Sequence, residues 1–159
     1  MALDEVDCRI LRALSRDARM PTAHLARELG LSAPATADRV RRLEDAGVIR
    51  GYAARVDPQA LGLPVSAYLR IKPLPGVLPK VADLLRELEC VVSCDRITGE
   101  DCFLAKAHVA SVSELEALID RILPYASTNT SIIQSSPVEP RLPRFGPEAG
   151  GRSVRRRAT

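Results

Sequence analysis

Apolar residues in the first third of the chain recur at helical spacing. Leu3, Val6, Ile10, Leu11 and Leu14 share a face after Asp4, which predicts a first helix from about Asp4 to Arg16 with Asp7, Arg9 and Arg12 on its polar side. A second, shorter helix opens near Pro21 or Thr22, buries Leu25 and Leu29, and stops at Gly30, a residue that accepts the left-handed conformation of many helix ends. Ser32 is a good N-cap. Pro34 falls in the first turn, where a missing N–H does no harm, so a third helix runs to about Ala46. On it Ala33, Thr36, Ala37, Val40, Leu43 and Gly47 lie on one face, Ala35, Asp38, Arg41, Arg42 and Asp45 lie on the other, and Arg39 sits at the flank. Gly47 ends this helix. Val48 and Ile49, a tight turn at Arg50-Gly51, and Tyr52 to Val56 then predict a two-stranded hairpin. Three helices and a hairpin over residues 1–63 form a winged helix-turn-helix pattern.

Past a turn at Asp57 to Gly62 and the punctuation of Pro64, the period changes from helical to alternating. Val65 to Ile71 is strand-like, and Val81, Leu84, Leu85 and Leu88 mark a helix. Val91 to Thr98 and Phe103 to Val109 are strands separated by Gly99-Glu100-Asp101-Cys102. Ser113 with Glu116 three residues on reads as a capping box for a helix carrying Leu115, Leu118, Ile119 and Ile122, which Pro124 stops. Thr128 to Gln134 is the last strand. The order βαββαβ over residues 64–140 describes a ferredoxin-like sandwich, which makes the chain α+β. One sheet face packs on two helices and the other must find cover, so a partner subunit is expected. Residues 141–159 carry Pro, Gly and Arg without apolar periodicity and are expected to be a disordered basic tail.

Composition narrows the function classes. At 159 residues the chain has room for one or two small domains and not for a large enzyme. With two Phe, three Tyr and no Trp, it lacks the rings for RNA readout by base stacking. No long apolar run or signal-like start is present, so a cytoplasmic protein with no membrane contact is expected. Cys8, Cys90, Cys94 and Cys102 form no CxxC pair, and His24 and His108 lie far apart, so reduced thiols and no metal are expected. The formal net charge of +3 is unevenly spread: residues 1–63 hold ten arginines against nine acids, residues 64–140 seven basic residues against ten acids, and residues 141–159 six arginines against one acid.

The helix-turn-helix makes a physical demand on its third helix. It must enter a major groove with small side chains near its N-terminus and cations at its flanks. Ser32, Ala35 and Thr36 suit the base edges, and Arg39, Arg42 and Arg50 suit phosphates, which makes double-stranded DNA the expected partner. No Ser/His/Asp, Cys/His or phosphate-cradling constellation supports catalysis. Two other readings stay open: a thiol- or metal-responsive regulator using Cys90, Cys94 and Cys102, and an architectural protein that binds DNA regardless of sequence or effector.

The run LARELGLSAPATADRVRRLEDAGVIRGYAARVDPQALG resembles the DNA-binding half of the Lrp/AsnC (feast/famine) transcription regulators. ITGEDCFLAKAHVAS is similar to that family's GDxD-type loop and the strand after it, and TNTSIIQSSPVEPR resembles its last strand. The resemblance spans roughly residues 3–140 and implies a sequence-specific regulator. It further implies homodimers joined through the C-terminal sheets, their assembly into tetramers or octamers, and a small effector, commonly an amino acid, in place of any cofactor. Carried onto this chain, the effector residues would be Thr98, Gly99, Glu100, Asp101 and Cys102, with Thr128, Thr130 and Ser131 nearby. The chemistry suits an amino acid: a glycine loop offers amide protons to a carboxylate, and Glu100 or Asp101 can receive an ammonium. One departure is Cys102, which stands where many relatives carry a second acid.

Overall fold

A computed structural model describes residues 2–146 of the chain. Two compact units form, one running to Ala54 and rejoined by the chain from Glu139, the other spanning Arg55–Val138.

The first unit is three helices, α1 (Glu5–Arg16), α2 (Thr22–Leu29) and α3 (Ala33–Asp45). Each end has a local cause. The Asp4 carboxylate accepts the Asp7 N–H at 2.7 Å while the Asp7 carboxylate accepts the Asp4 N–H at 3.2 Å, so both orphan donors at the start of α1 are satisfied. Gly30, at φ +72°, turns the chain out of α2, and Ser32 Oγ accepts the Ala35 N–H to open α3. Ile10, Ala13, Leu25, Leu29 and Leu43 form the core, with Val6, Leu14, Val40 and Ile49 packed around it.

The expected hairpin over Val48 to Val56 does not form; no strand is present between α3 and residue 65. The amides of Val48 and Ile49 are instead spent on the Leu43 carbonyl, at 2.9 and 3.0 Å, where they close α3. Those donors are lost to a ladder, and an isolated two-stranded ribbon is marginal even with all of its bonds. In the single chain the first unit is therefore a helix-turn-helix without a paired wing.

In the second unit a 3-10 turn at Gln59–Leu61 leads into β1 (Val65–Pro73), α4 (Leu78–Glu87), β2 (Val91–Arg96), β3 (Phe103–Val109), α5 (Val112–Ile122) and β4 (Ala126–Ile132). The sheet order is β2-β3-β1-β4 and every neighbour is antiparallel, the ferredoxin-like βαββαβ arrangement. Ala67, Leu69 and Ile71 of β1 and Phe103, Ala105, Ala107 and Val109 of β3 are buried on one face with Val81, Leu85, Leu115, Leu118 and Ile122 from the helices. Several boundaries move from expectation: β1 runs on to Pro73, β2 stops at Arg96 short of Thr98, and β4 stops at Ile132 short of Gln134. Ser111, not Ser113, caps α5: its hydroxyl accepts the Glu114 N–H, and the Glu114 carboxylate accepts the Ala110 N–H at 2.9 Å. The last strand begins at Ala126, level with Pro73, two residues before the expected Thr128.

The stretch expected to be a disordered tail, residues 141–159, is described only to residue 146 and carries no helix or strand there. Phe145 is half-buried against α1, because its ring lies under the Arg12 guanidinium. The remainder of that expected tail, residues 147–159, lies outside the described residues. Among the described residues, no helix is long and apolar enough to cross a membrane.

Candidate nucleic-acid interface and effector loop

Helix α3 presents two unlike faces. Leu43 is fully buried, whereas Ala35, Asp38, Arg41, Arg42 and Asp45 are exposed. Two of the residues expected on the DNA side are placed elsewhere. Thr36 is 0% exposed and its hydroxyl donates to the Ser32 carbonyl at 3.0 Å, so it closes the turn before the helix and offers nothing to a groove. Arg39 turns back to α1, where Nη1 donates to Asp4 at 2.6 Å and to Asp7 at 2.9 Å. The Asp7 side chain is 2% exposed, so this guanidinium offsets a buried carboxylate and ties α1 to α3. The Asp7 amide, and then Arg39, hold the Asp4 carboxyl below its ordinary range, while the two carboxylates push the Arg39 guanidinium up.

Ser32, Ala35, Arg42 and Arg50 remain exposed. Arg41 joins them, although sequence reasoning left it out of the site; its place on the free stripe was the available signal. Its pairing with Asp38, 3.7 Å apart with both side chains about 70% exposed, is too weak to withhold it from a phosphate. Tyr52 donates to Glu44 at 2.8 Å; burial, and then this carboxylate, push its phenol up to about 12, so the ring oxygen stays protonated.

In the second unit, the effector residues expected together are divided by the sheet. The loop between β2 and β3 is closed by the Ile97 amide on the Cys102 carbonyl and by the Cys102 amide on the Ile71 carbonyl, both at 3.0 Å. Thr98, Gly99 and Glu100 are exposed and Asp101 and Cys102 half-buried. Gly99 has φ +115°, a conformation that resists any side chain, and a β-carbon there would meet nothing within 4 Å. Thr128 is level with Ile71, hence close to the loop's exit. Thr130 lies further along, opposite Leu69, with Oγ1 buried and without a hydrogen-bond partner. Ser131 is opposite Tyr68 and so belongs to the other face of the sheet. It cannot line a pocket with Thr128 and Thr130 in one chain.

That other face is uncovered by helices. Tyr68, Arg70 and Lys72 are exposed on β1, and Leu104, Lys106 and His108 are half-buried on β3. His108 Nδ1 shares a hydrogen bond of 2.7 Å with the Ser66 hydroxyl, and burial, followed by Lys106, lowers the imidazole's affinity for a proton. A groove of about 450 Å³ lies on the opposite face between α4 and β2, floored by Ala82, Leu85 and Phe103. None of the expected effector residues lines it. No three of the described His, Cys, Asp and Glu side chains come together as a metal site, and burial raises the Cys90 and Cys94 thiols.

A three-helix reading head followed by a two-layer α+β unit defines a two-part regulator, one part for DNA and one for a ligand. Comparison with known proteins gives the family. The model of the AsnC-type helix-turn-helix domain matches residues 3–44, and that of the Lrp/AsnC ligand binding domain matches residues 66–143. The chain is 41% identical to the HTH-type transcriptional regulator LrpA of Mycobacterium tuberculosis over 81% of its own length and 87% of that protein's. The solved structure of Bacillus subtilis LrpC, 34% identical, superposes with a TM-score of 0.82 over 86% of this chain and 97% of that one. A feast or famine regulatory protein from M. tuberculosis, complexed with L-methionine, is 38% identical with a TM-score of 0.83, covering 89% of this chain and 98% of its own. The chain belongs to the Lrp/AsnC family of transcriptional regulators.

Proposed function

We propose that this regulator reads a specific duplex through the N-terminal half of α3 and changes its DNA binding when an amino acid or related small molecule occupies the loop at Gly99. The observation that carries the DNA half is the divided surface of α3: Ser32 and Ala35 are small and exposed at its start, Arg41 and Arg42 follow on the same open side, and Arg50 lies just beyond. For the ligand half, the Gly99 loop leaves its small residues exposed at one end of the sheet, and the M. tuberculosis relative was solved with L-methionine. The uncovered sheet face, with Tyr68 43% exposed at its centre, supports pairing of two copies face to face and further assembly of those dimers into tetramers or octamers. A cytoplasmic location and the absence of catalysis accord with a DNA regulator.

The test begins with selection of a bound sequence from a random duplex pool, then thermal melts against each amino acid, since a ligand of the folded state raises the apparent melting temperature. Arg42→Ala and Arg50→Ala should each reduce the log–log salt slope by about 0.9 with little change in sequence preference, and Ala35→Glu should abolish that preference. Gly99→Asp should lose the ligand-induced melting shift while keeping operator affinity. Recovery of no preferred sequence would leave an architectural DNA binder; wild-type ligand affinity in Gly99→Asp would remove the loop from the site.

A further inference from the structure

The register of β2 decides which side chains enter the groove between that strand and α4. Cys94 stands opposite Ala105 and Arg96 opposite Phe103. Directly opposed residues share a face, so both point to the helix side of the sheet, whereas Asp95, opposite Leu104, points away. Beneath them Phe103 and Leu85 are buried and, with Ala82, make an apolar floor. Val92, where the pairing slips, adds an exposed apolar rim. The space of about 450 Å³ is within the range of small-molecule sites.

The charges at this groove are of one sign. Arg96 makes no hydrogen bond or ion pair among the described residues. Arg86 reaches the groove from α4 and is paired with Asp83 one helical turn back, both side chains about 70% exposed, a pairing weak enough to yield to a competing anion. No acidic side chain lines the space. A ligand with an apolar body and one carboxylate would satisfy the floor and the free guanidinium together, the latter through paired N–H···O bonds. An ammonium on the same molecule would meet two cations and no counter-charge. The loop at Gly99 has the reverse chemistry, since Glu100 and Asp101 can receive an ammonium.

We propose that the α4–β2 groove is a second ligand site, separate from the Gly99 loop, and that it takes an apolar monocarboxylate without an amino group, of the class of branched-chain or aryl-substituted carboxylic and 2-oxo acids. Arg96 binds the carboxylate, Arg86 assists, and the body lies on Ala82, Leu85 and Phe103. The chain thereby distinguishes a carbon skeleton from the amino acid built on it, the nitrogen-free form going to the groove and the nitrogen-bearing form to the loop. That contrast rests on the reading of the Gly99 loop given above; the groove site does not.

The test uses the full, reduced chain and three probes of one shape: 3-phenylpropanoate, 3-phenylpropanamide and L-phenylalanine. Calorimetry should show 3-phenylpropanoate binding with a Kd on the order of 1 mM or tighter, and the amide at least about tenfold more weakly. Cys94, exposed in the groove, reports the place of binding through its rate of labelling by N-ethylmaleimide, read by peptide mass spectrometry. At about 5 mM the acid should slow that labelling several-fold, and L-phenylalanine should leave it unchanged. Arg96→Gln should weaken binding of the acid at least about tenfold and Arg86→Gln by about two- to threefold, with far-UV dichroism unchanged because both side chains are exposed. Gly99→Asp should protect Cys94 as the wild-type chain does. Labelling that ignores 3-phenylpropanoate, protection by the amide or by L-phenylalanine equal to that by the acid, or an Arg96→Gln chain protected like the wild type overturns the site. Loss of protection in Gly99→Asp overturns its independence from the loop and so the inference. A chain in which no amino acid binds at the loop, while the acid still protects Cys94, overturns the reading of the loop alone.

Discussion

The two units hold themselves together differently. The first has a core of five small or medium apolar side chains, and its helices are joined by polar ties: Arg39 to Asp4 and Asp7, Arg9 to the Glu28 carbonyl, and Arg16 to Glu28. The second buries fourteen residues between one sheet and two helices, all of them apolar. A DNA-reading head must keep its outer helix faces polar, which leaves little apolar area for a core, so capping and charge placement carry a larger share of its stability. The ligand unit covers one whole sheet face and depends on packing.

Four tests would break or sharpen that contrast. The largest effect is expected in the second unit, from Leu69→Ala. Leu69 is 0% exposed at the middle of the central strand β1, and its truncation should cost about 3–4 kcal/mol. Hydrogen exchange should then quicken across the sheet and leave α1 to α3 unchanged; an equal loss in both units would mean that they unfold as one.

Arg39→Met should reverse the pattern. It strands the buried Asp7 carboxylate and should cost the first unit about 2 kcal/mol, below the value for a fully buried pair because the guanidinium is partly exposed. Acid separates the units in the opposite sense. Asp4 titrates below its ordinary 3.8, so the stability it contributes is complete above that pH and is lost as pH falls through its lowered value. His108 titrates below its ordinary 6.5 because burial disfavours the imidazolium, so its contribution is complete above 6.5 and declines below it. Exchange measured down a pH series should show the sheet loosening before the helices, and His108→Gln should remove that difference.

The smallest effect discriminates between two serines one residue apart. Ser111→Ala should cost about 1 kcal/mol by removing the cap of α5, and Ser113→Ala should cost close to nothing, as read by thermal melts. The pair shows what the sequence could and could not convey. Ser-x-x-Glu occurs at both 111–114 and 113–116, and only the backbone selects between them. Strand β3 was legible from end to end, because its alternation of buried and half-buried residues is complete from Phe103 to Val109. The helix-turn-helix was legible from its caps and glycines. The helical wheel set Thr36 on the face of Leu43, where the structure buries it, and Arg39 at the flank, but a wheel does not show who meets a residue there. Arg39's partners lie more than thirty positions away, and Thr36 spends its hydroxyl on its own turn. Phe145 is a lone aromatic among Pro, Gly and Arg, without the repetition that marks packing. The effector residues came from a linear motif, which cannot say that Ser131 and Thr130, being neighbours in a strand, must point to opposite faces.

The rims of the sheet carry a last consequence. At β2 the pairing slips between Val91 and Ser93, leaving Val92 54% exposed outside the regular ladder and followed by the charges of Asp95 and Arg96. At the far rim, β4 offers a row of Ser, Thr and Asn with no long apolar stretch. Both borders are poor templates for another strand, one because it is kinked and charged, the other because a slipped partner would gain no buried surface. Growth by adding strands has no natural end, whereas two flat faces that meet are used up by one another. Borders blunted in this way disfavour growth by strand addition, the kind of association that lengthens into fibres.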